Sequence, residues 1–356
     1  MSLATGYAAA SAGAALAPLR FERRALLPED VRVEIDWCGI CHSDLHQLRD
    51  EWGGTTFPIV PGHEIVGRVS AVGGAVTAFA VGDRVAVGCL VDACGACEPC
   101  RRGEEQHCAA GPTFTYNAPD PYGGGVTYGG WSDHIVVDER FVLAVPEALD
   151  PAGVAPLLCA GVTVHAPLAR LGVGAGSTVG VVGLGGLGHL AVRIAAAMGA
   201  RVVVLTRSTG KEQAARRLGA AEVLPSGHAE ALAAHAGTCD VVLDTVAAAH
   251  DLTPLVELLG VGGTLVLLGI PPEPHAALHP AGLILGRRGI AGSFIGGTAE
   301  MRAALDFCAA HGILADVETI PVAGVEHALA RMERGDVPHR FVIDMASLGR
   351  EEPSHA

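Results

Sequence analysis

The stretch "VGVVGLGGLGHLAV", Val179 to Val192, narrows the possible folds more than any other. A valine-rich run meets glycines at Gly183, Gly185 and Gly188 in a G-x-G-x-x-G pattern, with Gly186 added, and an alanine-rich segment then continues to Met198. The glycines permit a tight turn and let a pyrophosphate approach the backbone at a helix N-terminus. In a chain with 48 glycines the pattern alone is weak. The strand, turn and helix around it make it a dinucleotide-binding signature. Downstream, apolar runs alternate with amphipathic segments: "RVVVLT" (201–206), a helix predicted over Lys211 to Leu218, "DVVLDTV" (240–246) and "TLVLLG" (264–269). Such alternation predicts an α/β unit with a doubly wound parallel sheet and right-handed crossovers. After "IAGSFIGG" (290–297), a helix is predicted over Thr298 to His311, then short strands ending in "RFVIDM" (340–345).

The first 150 residues follow another rule. Short strands broken by Gly and Pro, such as Val31 to Trp37, Ile65 to Val72, Asp83 to Val87 and Ser132 to Val137, predict a β-rich barrel or meander. The alanine-rich start reads as a first strand or hairpin. A length of 356 residues fits two domains. The net charge is −14 with no basic stripe, so nucleic acid is not an expected partner. No apolar run reaches the ~18–20 residues of a membrane span, and the start lacks a basic signal-peptide region. A cytoplasmic protein is expected, where clustered cysteines bind metal more often than they form disulfides.

Four of the ten cysteines fall within fifteen residues: Cys94, Cys97, Cys100 and Cys108, spaced C-x2-C-x2-C-x7-C. Tight x2 steps aim thiolates at one point, and four sulfurs around zinc close the coordination sphere, so such a site is structural. A nucleic-acid zinc ribbon fits less well, since Glu98, Glu104 and Glu105 crowd the loop. Three further stretches offer an open set: "CGICHSDLH" (38–46), "PGHEIVG" (61–67) and "LLCAGVTVH" (157–165). Cys41, His63 and Cys159 would supply two thiolates and one imidazole and leave a fourth position for water or substrate. Glu64 follows His63 as an alternate or outer ligand. Each residue alone is ambiguous, because a lone buried cysteine is usually structural.

With "CGICHSDLH", "PGHEIVG", the four-cysteine lobe, "CAGVTV", "GLGGLGHLAV", "AGSFIGG" and "RFVIDM" in order along nearly the whole chain, the sequence resembles the zinc-dependent medium-chain alcohol dehydrogenases. The likeness is to their cinnamyl-alcohol-dehydrogenase-type branch and its bacterial aldehyde-reductase relatives. The resemblance implies a GroES-like β-rich catalytic domain (1–160 and 297–356, with a zinc lobe at 89–112) and a Rossmann cofactor domain (161–296). It implies a catalytic zinc on Cys41, His63 and Cys159 that Glu64 can approach, and a structural zinc on the four-cysteine lobe. Asp44 would orient the ligand histidine, Ser43 and His46 would relay protons, and Cys38 would not be a ligand. Thr163, Gly183, Gly185, Gly186, Leu187, Gly188 and Ile295 would contact the cofactor. Gln47, Trp52, Phe57, Cys89, Phe114, Phe294 and Ile295 would line an apolar pocket, suited to aromatic or medium aliphatic aldehydes and their alcohols. A homodimer is implied.

The cofactor preference follows from the residues themselves. NAD-binding folds place Asp or Glu at the end of the second strand to hold the ribose 2′-hydroxyl. Here Thr206 occupies that place, and no carboxylate appears before Glu212. Thr206, Arg207, Ser208 and Lys211 instead offer hydroxyls and two cations to a 2′-phosphate, which predicts NADP(H). The alternatives are a zinc-free quinone or enone reductase on the same fold and a non-enzymatic, cofactor-sensing protein. The first has no use for Cys41, His63 and Cys159 together.

Overall fold

The computed structural model describes residues 1–123, 125–207, 209–335 and 340–349. The chain forms two compact units, Met1–Cys159 with the segment from Gly296 onward, and Ala160–Ile295. In the first, β1 (Ser2–Ala9) and β2 (Leu16–Arg23) make an antiparallel hairpin. There follow β3 (Asp30–Ile40), α1 (His42–Leu48), β4 (Ile65–Val72), β5 (Arg84–Val87), β6 (Leu90–Asp92), α2 (Glu98–Arg101), β7 (Thr113–Phe114), β8 (His134–Asp138), β9 (Val142–Ala144) and α3 (Pro151–Val154). The second unit contains α4 (Ala160–Arg170), β10 (Thr178–Val182), α5 (Gly188–Ala197), β11 (Arg201–Thr206), α6 (Glu212–Leu218) and β12 (Glu222–Pro225). It continues through α7 (Ala229–Ala233), β13 (Cys239–Asp244), α8 (Thr253–Leu258), β14 (Leu259–Leu267), α9 (Ala281–Gly286) and β15 (Gly289–Gly292). The chain then returns to the first unit with α10 (Thr298–His311), β16 (Val317–Pro321), α11 (Val325–Glu333) and β17 (Arg340–Asp344).

The first unit is built on β3, which pairs antiparallel with β4, β8 and β17 in a sheet ordered β16-β17-β3-β4-β5-β9. The C-terminal strand β17 therefore closes against a strand near the N-terminus. Its Phe341, Val342 and Ile343 are fully buried. The end of β3 delivers the chain directly into Cys41 and α1, so the strand that organises the sheet also launches the candidate site.

The second unit is a six-stranded parallel sheet in the order β12-β11-β10-β13-β14-β15. Parallel strands covered on both faces read as continuous apolar runs. Val202 to Leu205 of β11 and Val241 to Leu243 of β13 are all buried. The strand order reverses direction between β10 and β13, and ligands of such sheets bind beyond the strand C-termini at that point. Among the described residues no single helix is long and apolar enough to cross a membrane.

The structure shifts several predicted boundaries. The strand expected from Asp83 begins at Arg84, the one expected over Ser132 to Val137 runs His134–Asp138, and the helix expected from Lys211 starts at Glu212 after a 3-10 turn. Residues 151–176, for which no element was predicted, hold α3 and α4. Every α4 residue from Ala160 to Leu168 is buried, so no polar face marks the helix, and Pro167 lies inside it. Burial is also what makes the parallel core sensitive to truncation. Leu205→Ala, at a fully buried position of β11, is expected to lower stability by about 2–5 kcal/mol in chemical denaturation.

Candidate active site

Three separated stretches of the first unit converge on one buried spot. Cys41 precedes the first turn of α1, His63 sits just before β4, and Cys159 ends the 3-10 turn Ala155–Leu158. One donor atom each from Cys41, His63, Glu64 and Cys159 lies within 4.8 Å of every other, and all four residues are buried. The Cys41 and Cys159 sulfurs are 3.9 Å apart. Two sulfurs ~2.3 Å from a common tetrahedral zinc would stand about 3.8 Å apart, so the pair fits the ion. The Cys159 contact, with His63 beside it, holds the Cys41 thiol well below its ordinary pKa, which suits a thiolate ligand.

Asp44 organises this set. Its carboxylate is fully buried and accepts hydrogen bonds from the Cys41 N–H at 2.8 Å and the Gly62 N–H at 3.2 Å. It lies 3.4 Å from His63 Nδ1, which fixes the tautomer and leaves Nε2 for a metal. Tyr116, buried, stacks on His63 with ring centroids 5.7 Å apart, and burial together with the nearby Asp44 carboxylate pushes its hydroxyl well above its usual pKa. Glu64 is paired with the buried Arg340 of β17. Burial pushes its carboxyl up to about 7 even with that cation against it. Cys38, fully buried, stays outside the donor set, with its thiol 3.7 Å from the Gly39 carbonyl.

On α1, Ser43 Oγ stands 3.6 Å from Cys41 Sγ. One turn later His46 pairs through Nδ1 with Glu51 at 2.5 Å and packs against Trp52 at 4.7 Å between ring centroids. The His46 contact pulls the Glu51 carboxyl below its usual value. Of the suggested pocket residues, Cys89 is buried with its thiol 3.8 Å from the Leu158 carbonyl, beside Cys159. Gln47 is held by Thr55 and Asn117, whose hydroxyl and amide donate to its side-chain oxygen. Phe57 and Phe114 are half-buried, the latter in β7 opposite Leu90. Phe294, Ile295 and Thr163 belong to the second unit, Phe294 exposed and the other two buried.

The four-cysteine lobe forms a second set. Cys94, Cys97, Cys100 and Cys108 bring their sulfurs within 4.8 Å of one another, with Cys94 and Cys100 at 3.9 Å. Backbone N–H groups point at these sulfurs: Cys97 donates to Cys94, Cys94 to Cys108 and Ala109 to Cys97. The Ala109 and Cys100 N–H groups lower the Cys97 thiol to about 6. This geometry prepares thiolates and fits a closed zinc site. The two sets take up six of the ten cysteines, and all ten are free of disulfides.

In the second unit, Gly183 follows β10 with φ of +88°, a conformation that L side chains avoid. A Cβ on Gly188 would collide with the Gly183 carbonyl, so α5 begins in direct backbone contact with the turn. Gly185, Gly186 and Leu187 complete the loop. Lys211 reaches back to donate to the Leu184 carbonyl at 3.2 Å. Thr206 is buried at the end of β11 and Arg207 is exposed, while Ser208 lies outside the described residues. Asp244, at the end of β13, is pushed up by burial and paired with His250 at 3.2 Å. Sequence reasoning missed Arg340, Tyr116 and Glu51. A Glu five residues after His46 was the only local signal among them.

A two-unit dehydrogenase is the class that this fold and these two donor sets define. Residues 27–147 match the alcohol dehydrogenase GroES-like domain and residues 186–310 the zinc-binding dehydrogenase family. Aldehyde reductase YahK of Escherichia coli (strain K12) is 51% identical over 95% of this chain and 97% of its own. The cinnamyl alcohol dehydrogenase SbCAD4 from Sorghum bicolor superposes with a TM-score of 0.95 at 44% identity, over 99% of this chain and 100% of that one. The enzyme of the same name from Helicobacter pylori, solved with NADP(H), gives 0.90 at 38% identity over 97% and 98% of the two chains. The chain belongs to the zinc-dependent medium-chain alcohol dehydrogenase family, in its cinnamyl-alcohol-dehydrogenase-like branch. It is an oxidoreductase acting on the CH–OH group.

Because Asp44 orients His63 without touching a metal position itself, Asp44→Asn is expected to reduce affinity for the catalytic metal about 10–100-fold. Chelator competition monitored by zinc release, with the lobe zinc as internal control, measures it.

Proposed function

We propose that this protein interconverts aldehydes and primary alcohols using NADP(H), with aromatic or medium aliphatic substrates. The convergence of Cys41, His63 and Cys159 beside Ser43 carries this reading. When bound, zinc at this set supplies Lewis acidity toward the substrate oxygen, and the nicotinamide supplies or accepts hydride. In the reductive direction Ser43 donates a proton to the developing alkoxide, and in oxidation it takes one. His46, one helical turn along, exchanges that proton with solvent, and Glu51 fixes its imidazole through Nδ1. Glu64, neutralised by Arg340, keeps a carboxylate near the ligand set without an unpaired buried charge. Cys89 contributes a small apolar wall beside Cys159.

NADP(H) is favoured because β11 ends in Thr206, with Arg207 exposed and Lys211 reaching to the turn. A homodimer is proposed through the edge strand β15, which among the described residues pairs only with β14 and leaves Ile290 exposed, with Ile284 at 71% and Leu285 at 87% exposure on the preceding α9. Six cysteines gathered in two thiolate metal sets, with none of the ten in a disulfide, suit a reducing, cytoplasmic compartment.

Two measurements test the proposal. Purified protein is expected to hold two zinc ions per chain and to reduce cinnamaldehyde-type and medium aliphatic aldehydes, with Ser43→Ala lowering kcat about 10²–10⁴-fold. One zinc or none, or an unchanged kcat in Ser43→Ala, refutes the site assignment. Turnover of sugars or polyols alone refutes the apolar substrate class.

Arg207→Ala is expected to weaken NADPH binding by about 1.5–3 kcal/mol while leaving NADH nearly unchanged. Fluorescence titration reads both. Equal or better kcat/KM with NADH in the unmodified protein would overturn the cofactor assignment.

A further inference from the structure

The four-cysteine lobe takes no part in the proposed chemistry, yet its contacts lead toward the catalytic ligands. Glu105 lies in the 3-10 turn Glu105–His107, immediately ahead of Cys108. Both of its carboxylate oxygens grip one residue, Thr298: Oε2 accepts from the backbone N–H at 2.8 Å and Oε1 from the hydroxyl at 2.9 Å. Thr298 is the first residue of α10, and the residue before it is Gly297. A glycine has no side chain to cap a helix, so the capping carboxylate comes from the lobe, 193 residues away in sequence. Its charge also complements the positive end of a 14-residue helix. Gln106, next in the turn, donates to Glu300 Oε2 at 2.9 Å, and the same oxygen accepts from the Gly297 N–H. A Cβ on Gly103 would lie 2.6 Å from Ala299 Cβ, so the lobe and α10 meet there only because Gly103 has no side chain. The lobe therefore fixes the start of α10 by charge, hydrogen bonding and shape.

One turn into α10, Met301 is buried and turns inward. A Cβ on Gly88 would lie 2.6 Å from Met301 Cε and 3.2 Å from the Leu158 carbonyl. The thioether thus rests on Gly88 with nothing between them. Gly88 precedes Cys89, and Leu158 precedes the ligand Cys159. The two segments are joined by the Cys89 thiol against the Leu158 carbonyl at 3.8 Å. Thr115 holds the Gly88 carbonyl from its other side at 2.5 Å. Close-packed interiors transmit small displacements instead of absorbing them. A shift at the start of α10 reaches Met301, then the backbone that carries Cys89 and Cys159.

We infer that Glu105 is a positioning residue for the catalytic ligand set, acting through α10 and Met301 on Cys159 and Cys89. The inference rests on the assignment of Cys41, His63 and Cys159 as metal ligands. It gives the lobe a role in the geometry of the reaction in addition to its stabilising one.

The test uses full-length protein with cobalt exchanged into the catalytic set, whose thiolate-to-metal absorption reports the Cys41 and Cys159 geometry. Glu105→Ala is expected to keep both metals, shift that band, and lower kcat/KM for aldehyde about three- to tenfold, with NADPH affinity within about twofold. Glu105→Gln, which can still accept from the Thr298 N–H, is expected to restore the band. Met301→Ala leaves the lobe's anchor intact and is expected to shift the same band. The Glu105→Ala/Met301→Ala pair should fall short of the product of the single effects. A lower melting temperature in Glu105→Ala with unchanged band, kcat and KM would make the contact merely structural and overturn the inference. If Glu105→Ala does not fold, an unmoved band in Met301→Ala overturns it. A missing thiolate band in the unmodified protein refutes the metal-site assignment itself, and the inference with it.

Discussion

One buried carboxylate holds the catalytic unit together. Asp44 is fully inaccessible, so as an anion it must be satisfied by the protein around it. The donors come from two places: the Cys41 N–H at the start of α1 and the Gly62 N–H ahead of His63. His63 Nδ1 completes the group. Meeting Asp44's needs therefore brings two ligand-bearing loops into register and fixes the imidazole. Charge-assisted hydrogen bonds are the stronger kind, so one carboxylate can fix the loops just beyond the β3–β4 ladder, which pairs Cys38 with Ile65.

A second buried charge is managed differently. Glu64 meets Arg340, and the pair spans 276 residues of sequence. Removing one partner of such a pair leaves an uncompensated buried charge. The C-terminal strand β17 is thus bound to the site by an ion pair as well as by its ladder with β3. The lobe adds a third anchor, since Glu105 caps α10 across a similar sequence distance. All three use a charged or polar group to position a segment that hydrophobic packing alone would leave free to slide.

Much of this was legible in the residues. The alternation of apolar strands with amphipathic segments predicted the parallel sheet, and the glycine turn predicted where a helix starts hard against a strand end; the contact that a Cβ on Gly188 would make with the Gly183 carbonyl is that constraint in atoms. Cysteine spacing announced the lobe, because an x2 step leaves thiolates little choice of direction. The helix α4 was not legible, since burial on every side erases the polar stripe that periodicity needs. Arg340, Tyr116 and the partners of Glu105 were not legible either. Their significance lies in what they touch, and no local pattern encodes a contact from fifty to nearly three hundred residues away.

The sequence by itself determined the classes of chemistry available: two soft-donor sets, a phosphate-approach turn, and a second strand ending in Thr206 in place of an acid. These are local properties, set by residue type, spacing and backbone freedom. Only the tertiary structure decided which cysteines share a centre and which, like Cys38, do not. It also decided that Glu64 is held by Arg340, and that the lobe reaches α10. Those outcomes depend on where the sheet order carries each segment, because β3 must pair with β4, β8 and β17 before distant side chains can meet.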